Sequence, residues 1–173
     1  MKSILETLDI LLDEPKQWDV YSQATDLYNE LEETKLKVQN LLHQLHRFRQ
    51  KMCLDLSYRL RKVNPSFNIS VDRNGCRIGY RRKSLHFKPD IAKGIWTVMS
   101  NDNAFANLYR KKHKPSLLIS HNIDDFVDTI YKFFKENYKS LQEEADTPGV
   151  ILIDGKMSTV ANLADLHQQC MTD

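Results

Sequence analysis

The sequence predicts an α+β protein: a long N-terminal coiled-coil helix, then a small antiparallel β-meander covered by a C-terminal helix. Three observations carry that expectation. Apolar residues recur at 3,4 spacing from Ala24 to Met52, the seam pattern of a coiled coil. Residues 67–72 alternate apolar and polar and run into Asn74-Gly75, a strong two-residue hairpin signal. Residues 122–143 return to helical periodicity with apolar side chains along one face.

Taken in order, Ile4, Leu5, Leu8, Leu11 and Leu12 give residues 3–12 the pattern of a short amphipathic helix that stops before Pro15. A long helix is expected from about Asp19. Its stripe is Ala24, Leu27, Leu31, Thr34, Val38, Leu41, Leu45, Phe48 and Met52, with Thr34 the one polar member. At 1.5 Å per residue it covers roughly 43 Å. Charged residues flank it (Glu30, Glu32, Glu33, Lys35, Lys37, Arg47, Arg49). Leu27, Leu31, Val38, Leu41, Leu45, Phe48 and Met52 are therefore the expected oligomerisation residues, most simply of a parallel homodimer. Beyond Met52 the stripe shifts to Leu56, Leu60 and Val63, as if the helix leaves the coil to dock, and Asn64-Pro65 stops it.

In the meander, a turn centred on Asn74-Gly75 would pair Asp72 with Arg77, Val71 with Ile78, Ser70 with Gly79, Ile69 with Tyr80 and Asn68 with Arg81. One face is then apolar and the other carries Arg77 and Arg81. Leu85 and Phe87 continue the apolar face, and Ser84, His86 and Lys88 the polar one. Ile95–Met99 is the expected fourth strand, and 103–109 a short helix or turn. A short strand at 117–119 precedes Asn122, which caps a helix whose first turn holds Asp124 and Asp125. After Thr147-Pro148-Gly149, Asp154-Gly155 signals a second hairpin, and a final helix begins at Val160. The implied organisation is a helical oligomerisation region (1–63), a basic α+β head (64–145) and a hairpin–helix docking tail (146–173). That tail is too small to fold alone, so it docks on this chain or on a partner.

Charge is sorted along the chain. Residues 59–114 hold fourteen basic and three acidic residues, +11, whereas the parts before and after carry −3 and −6. The net charge of +2 conceals this. A local excess interleaved with aromatics calls for an anionic partner, and polyphosphate is the usual one. No run of about 18 apolar residues suggests a membrane span. Three scattered cysteines without a C-x-x-C argue against a disulfide framework. The expected location is the cytoplasm, or a host's cytoplasm for a viral gene.

The expected nucleic-acid-binding residues are Arg77, Arg81, Arg82, Lys83, His86, Lys88 and Trp96, with a second patch at Arg110, Lys111, Lys112 and Lys114. A basic groove with aromatic platforms is how single strands are held without sequence reading. Tyr80 and Phe87 should turn inward. No catalytic residue, metal site or cofactor is expected: the five glycines are dispersed, and no nucleophile context or carboxylate cluster stands out. His43, His46 and Cys53 take outward heptad positions with no carboxylate to complete a metal site. Asp124, Asp125 and Asp128 suit the helix dipole better than a cation. The expected function is a non-catalytic, oligomeric nucleic-acid-binding accessory protein, single-strand-biased and sequence-nonspecific, assisting replication, recombination or repair. The alternative is a coiled-coil adaptor or scaffold whose basic head and C-terminal tail dock protein partners.

Overall fold

Pro15 opens the longest element, helix α1, Pro15–Val63, where its missing N–H is no loss because the first helical N–H groups lack partners anyway. The computed structural model describes residues 15–100, 102–113, 122–138 and 147–172. The expected helix at 3–12, the strand at 117–119, Lys114 and Leu141 lie outside the described residues.

The chain divides into two units, Met1–Gln44 and Leu45–Asp173. In the first, every described residue is helical, and the stripe is open to solvent: Leu31 is 61% and Leu41 59% exposed, with Leu27 and Val38 exposed as well. Leu36 and Leu42 add apolar surface outside the strict stripe.

The second unit is a six-stranded sheet with helices on one face. After the helical segment that ends at Val63 come β1 (Asn68–Asp72), β2 (Gly75–Tyr80), β3 (Lys83–Asp90) and β4 (Ile95–Met99). Helices α2 (Asn103–His113) and α3 (Ile123–Asn137) follow, then β5 (Ile151–Ile153), β6 (Lys156–Ser158) and α4 (Val160–Thr172). The strand order is β4-β3-β2-β1-β5-β6, antiparallel throughout except for the parallel β1–β5 pair. The tail hairpin thus docks on this chain and completes the sheet. Its Asp154-Gly155 turn takes positive φ at both residues (49° and 77°), as a tight two-residue hairpin requires.

The first hairpin differs from expectation. Asp72 pairs with Gly75, Val71 with Cys76 and Ile69 with Ile78, so the turn residues are Arg73 and Asn74. The cause is the Asp72 side chain, whose Oδ1 accepts from the N–H groups of Asn74 (2.6 Å) and Gly75 (3.1 Å), an Asx turn that displaces the Asn-Gly geometry. Gly75 is needed for a different reason: a Cβ there would lie 2.5 Å from the Phe87 carbonyl oxygen. The register slips by two residues, so each side chain keeps its face.

The core lies between the sheet's apolar face and the helices. Ile69, Val71, Ile78, Leu85 and Phe87 meet Leu56 and Leu60 of α1, Tyr109 of α2 and the aromatic side of α3. Phe126 packs edge-on to Phe87 (5.5 Å between centroids) and Phe134 edge-on to Phe67 (5.3 Å). Asn122 caps α3 by accepting from Asp124 N–H (3.0 Å). Cys53, expected to face outward, is fully buried, because the helix rotates its apolar side onto the sheet there; burial beside it pushes the Cys76 thiol up. Met52, also given to the coil, is partly buried against this core. Arg59 joins α1 to α3 through Asp124 (2.7 Å), and Asp55 accepts from Arg59 (2.8 Å) while contacting His167 of α4 (2.8 Å).

Candidate nucleic-acid interface

Strand alternation sends Ile69, Val71, Ile78 and Phe87 to the helices and leaves their neighbours on the opposite face. The register aligns those neighbours in rows. Ser70, Arg77 and His86 stand side by side on β1, β2 and β3; Asn68, Gly79 and Ser84 form the next row. Ser70 also faces Leu152 of β5, and His86 faces Met99 of β4.

Between β2 and β3 the chain turns at Arg81-Arg82, with Tyr80 opposite Lys83. Arg81 and Arg82 are therefore turn residues, and Arg81 is not the strand residue expected. Arg81 adopts φ 54°, a region L-residues seldom enter. Its guanidinium lies 5.6 Å from the centre of the Tyr80 ring.

A cleft of about 210 Å³ opens on this face, with Gly79 on its lining and Arg77, Arg81, Arg82, Lys83, Ser70 and Ser84 around it. No carboxylate lines it. Lys83 pairs with Asp102, which also caps α2 by accepting from Phe105 N–H (3.0 Å). Among the described residues, no acid pairs with Arg77, Arg82 or Lys88.

Several expected contributors lie elsewhere. Trp96 is 6% exposed and packs on Phe126 at 5.3 Å; β4 turns it inward with Val98, so it offers no surface to a base. Arg110, Lys111 and Lys112 are exposed on α2, in the helical layer, since Tyr109 of that helix packs on Phe87 (5.6 Å). Lys112 also pairs with Glu136. The +11 segment is thus divided: Arg59 is in ion pairs, Arg61 is buried against the Phe67 carbonyl (2.7 Å), and Lys62 lies over the Tyr58 ring (5.1 Å). Ser70, Ser84 and Leu152 were not among the expected binding residues, although Ser84 was expected on this face. The first two were legible from alternation, whereas Leu152 joins the face only through the parallel β1–β5 pairing.

His86 has its pKa lowered, chiefly by burial and then by Arg77, with Lys88 adding to it and Asp72 opposing. Below the unfolded value of about 6.5 the unfolded chain therefore takes up a proton that the folded chain resists, so stability falls as pH drops through that window. A bound polyanion acts the other way, favouring the imidazolium. Between about pH 7.5 and 5.5, oligonucleotide affinity is expected to rise while urea stability falls, and His86→Gln should flatten both profiles. Unchanged profiles in that variant would remove His86 from the interface.

Among the described residues, no group of three or more His, Cys, Asp or Glu side chains converges as a metal site would. No helix among them is long and apolar enough to cross a membrane. Comparison of the chain with family models, curated proteins and solved structures finds no match.

Proposed function

We propose that the protein is a non-catalytic, oligomeric nucleic-acid-binding accessory protein that holds strands through phosphate contacts and reads little sequence. One observation carries this reading: among the described residues, Arg77 and Lys88 on the polar sheet face and Arg82 in the adjoining turn have no acid partner, and Arg77 and Arg82 line a cleft without a carboxylate. Unpaired cations in such an arrangement release counterions when a polyanion docks, which favours binding regardless of sequence. The Arg81 backbone supports it too, because a left-handed residue is a strain that glycine would relieve.

The exposed stripe of α1 supplies the oligomer. Isolated helices gain little stability without tertiary packing, and Leu27, Leu31, Val38 and Leu41 have none among the described residues. In a parallel coil, Glu30 and Lys35 fall at g and e positions that attract across the seam. Two copies joined in this way present two basic sheets, and the second contact with one strand is then intramolecular. Leu31→Asp combined with Leu41→Asp is expected to reduce the sedimentation-equilibrium mass to that of one chain, with near-ultraviolet circular dichroism of the aromatic core preserved. A wild-type mass already equal to one chain would remove the coil.

The adaptor reading loses one support, since the tail hairpin is built into the sheet beside β1. The deciding experiment is fluorescence anisotropy with single-stranded and duplex oligonucleotides at two salt concentrations. Tight binding with a steep salt slope, stronger for the single strand, is the expected result. Affinity no higher than a generic basic protein's would overturn the proposal.

A further inference from the structure

We infer that the cleft over Gly79 binds a phosphate monoester at the end of a nucleic-acid strand, an assignment that rests on the nucleic-acid reading above. Its size is the first argument. About 210 Å³ is below the roughly 300–1,000 Å³ of pockets that enclose a drug-sized ligand, so it suits a phosphate and part of its sugar. Charge is the second. No acid lines the cleft, and with Lys83 paired to Asp102, Arg77 and Arg82 still have no acid partner among the described residues, which is more positive charge than a single phosphodiester's one negative charge matches. A monoester carries about −1.5 to −2 near neutral pH and presents three strong acceptor oxygens. The planar forks of Arg77 and Arg82 match such a group, as arginine generally matches phosphate.

A third argument comes from what the face lacks. Phe67, Tyr80, Phe87 and Trp96 are all buried on the helical side, and the cleft lining contains no aromatic residue. Among the described residues, a strand lying across this face therefore finds no ring to stack on except the half-buried His86 imidazole, and recognition shifts from bases to phosphate. Gly79 lines the cleft without a side chain. A Cβ there would point into the row of Ser84, 3.1 Å from its Cβ and 3.2 Å from the Lys83 carbonyl oxygen. Ser70 and Ser84 border the same space with hydroxyls able to donate to phosphate oxygens.

The test uses one internally labelled single strand in three forms: 5′-phosphorylated, 3′-phosphorylated, and with hydroxyls at both ends. Anisotropy is measured on the full chain, on Arg77→Gln and Arg82→Gln, and on Gly79→Ala, which keeps every charge. One phosphorylated form should bind at least about tenfold tighter than the hydroxyl form, the scale of one extra charge-assisted contact. The form preferred identifies the strand end. Each arginine variant should reduce that preference severalfold, and Gly79→Ala should reduce it as well, through the space its Cβ takes rather than through charge. Equal binding of all three forms would overturn the monoester site and leave the general nucleic-acid reading standing. A preference that survives both arginine substitutions would place the phosphate elsewhere and also overturn it. Should no oligonucleotide bind while a phosphoserine peptide does, both readings fall together.

Discussion

Reversing charge at Arg77 and Arg82 together (Arg77→Glu, Arg82→Glu) is expected to weaken single-strand binding at low salt by at least about a hundredfold. Hydrogen bonds to charged groups contribute about 1.5–3 kcal/mol each, and the introduced carboxylates add repulsion to the loss. The salt dependence should change with it. Each phosphate contact removed from a single strand makes the slope of log K against log salt shallower by about 0.7, so two contacts should lower it by about 1.4. Both side chains are exposed and have no acid partner among the described residues, so the sheet should fold as before. A double variant that binds as tightly as wild type would reject this face as the interface. A loss of affinity with an unchanged slope would instead indicate damage to the fold.

Phe134→Ala should give the largest loss of stability. The ring is fully buried and meets Phe67 edge-on at 5.3 Å and Phe105 at 5.7 Å. It joins α3 to the chain entering β1 and to α2 at one point, so neighbours on three sides would have to move to fill the space. Truncating a buried phenylalanine costs about 3–5 kcal/mol, a large share of the 5–15 kcal/mol typical of a folded domain. Urea denaturation should show a much lower midpoint with a similar m-value. A loss under about 1 kcal/mol would mean that this aromatic cluster is not packed as described.

The fold was legible wherever one face of an element is apolar and its end carries a stop signal. The pattern Ile123, Phe126, Val127, Ile130, Phe134 after Asn122 predicted α3, and alternation assigned the faces of β1, β2 and β3 despite a register two residues off. Aspartate at 72 misled the turn because a side-chain acceptor outweighed a dipeptide preference. The α1 stripe predicted a helix, and on the single chain Leu27, Leu31, Val38 and Leu41 are exposed. The candidate site was read less fully. Charge density along the sequence does not reveal which cations are already engaged, and Arg59, Arg61 and Lys83 are. Trp96 failed as a platform because β4 does not alternate cleanly and its burial depends on Phe126, 30 residues later. Leu152 had no local signal at all.

The pairing of β5 with β1 also sets the order in which the sheet can be made. Val150 donates to the Asn68 side chain across 82 positions of sequence, whereas β1 to β4 are joined by short turns. During synthesis the four local strands can pair early, but β1 then stays an open edge until the ribosome has added the last hairpin. Loop closure over that separation carries an entropic cost that short turns avoid, and an unpaired edge is a template for joining another chain. The interval between making β4 and making β5 is thus when nascent chains are most exposed to mispairing. A sheet completed so late also makes β5 a checkpoint, because only chains synthesised through it cover the β1 edge.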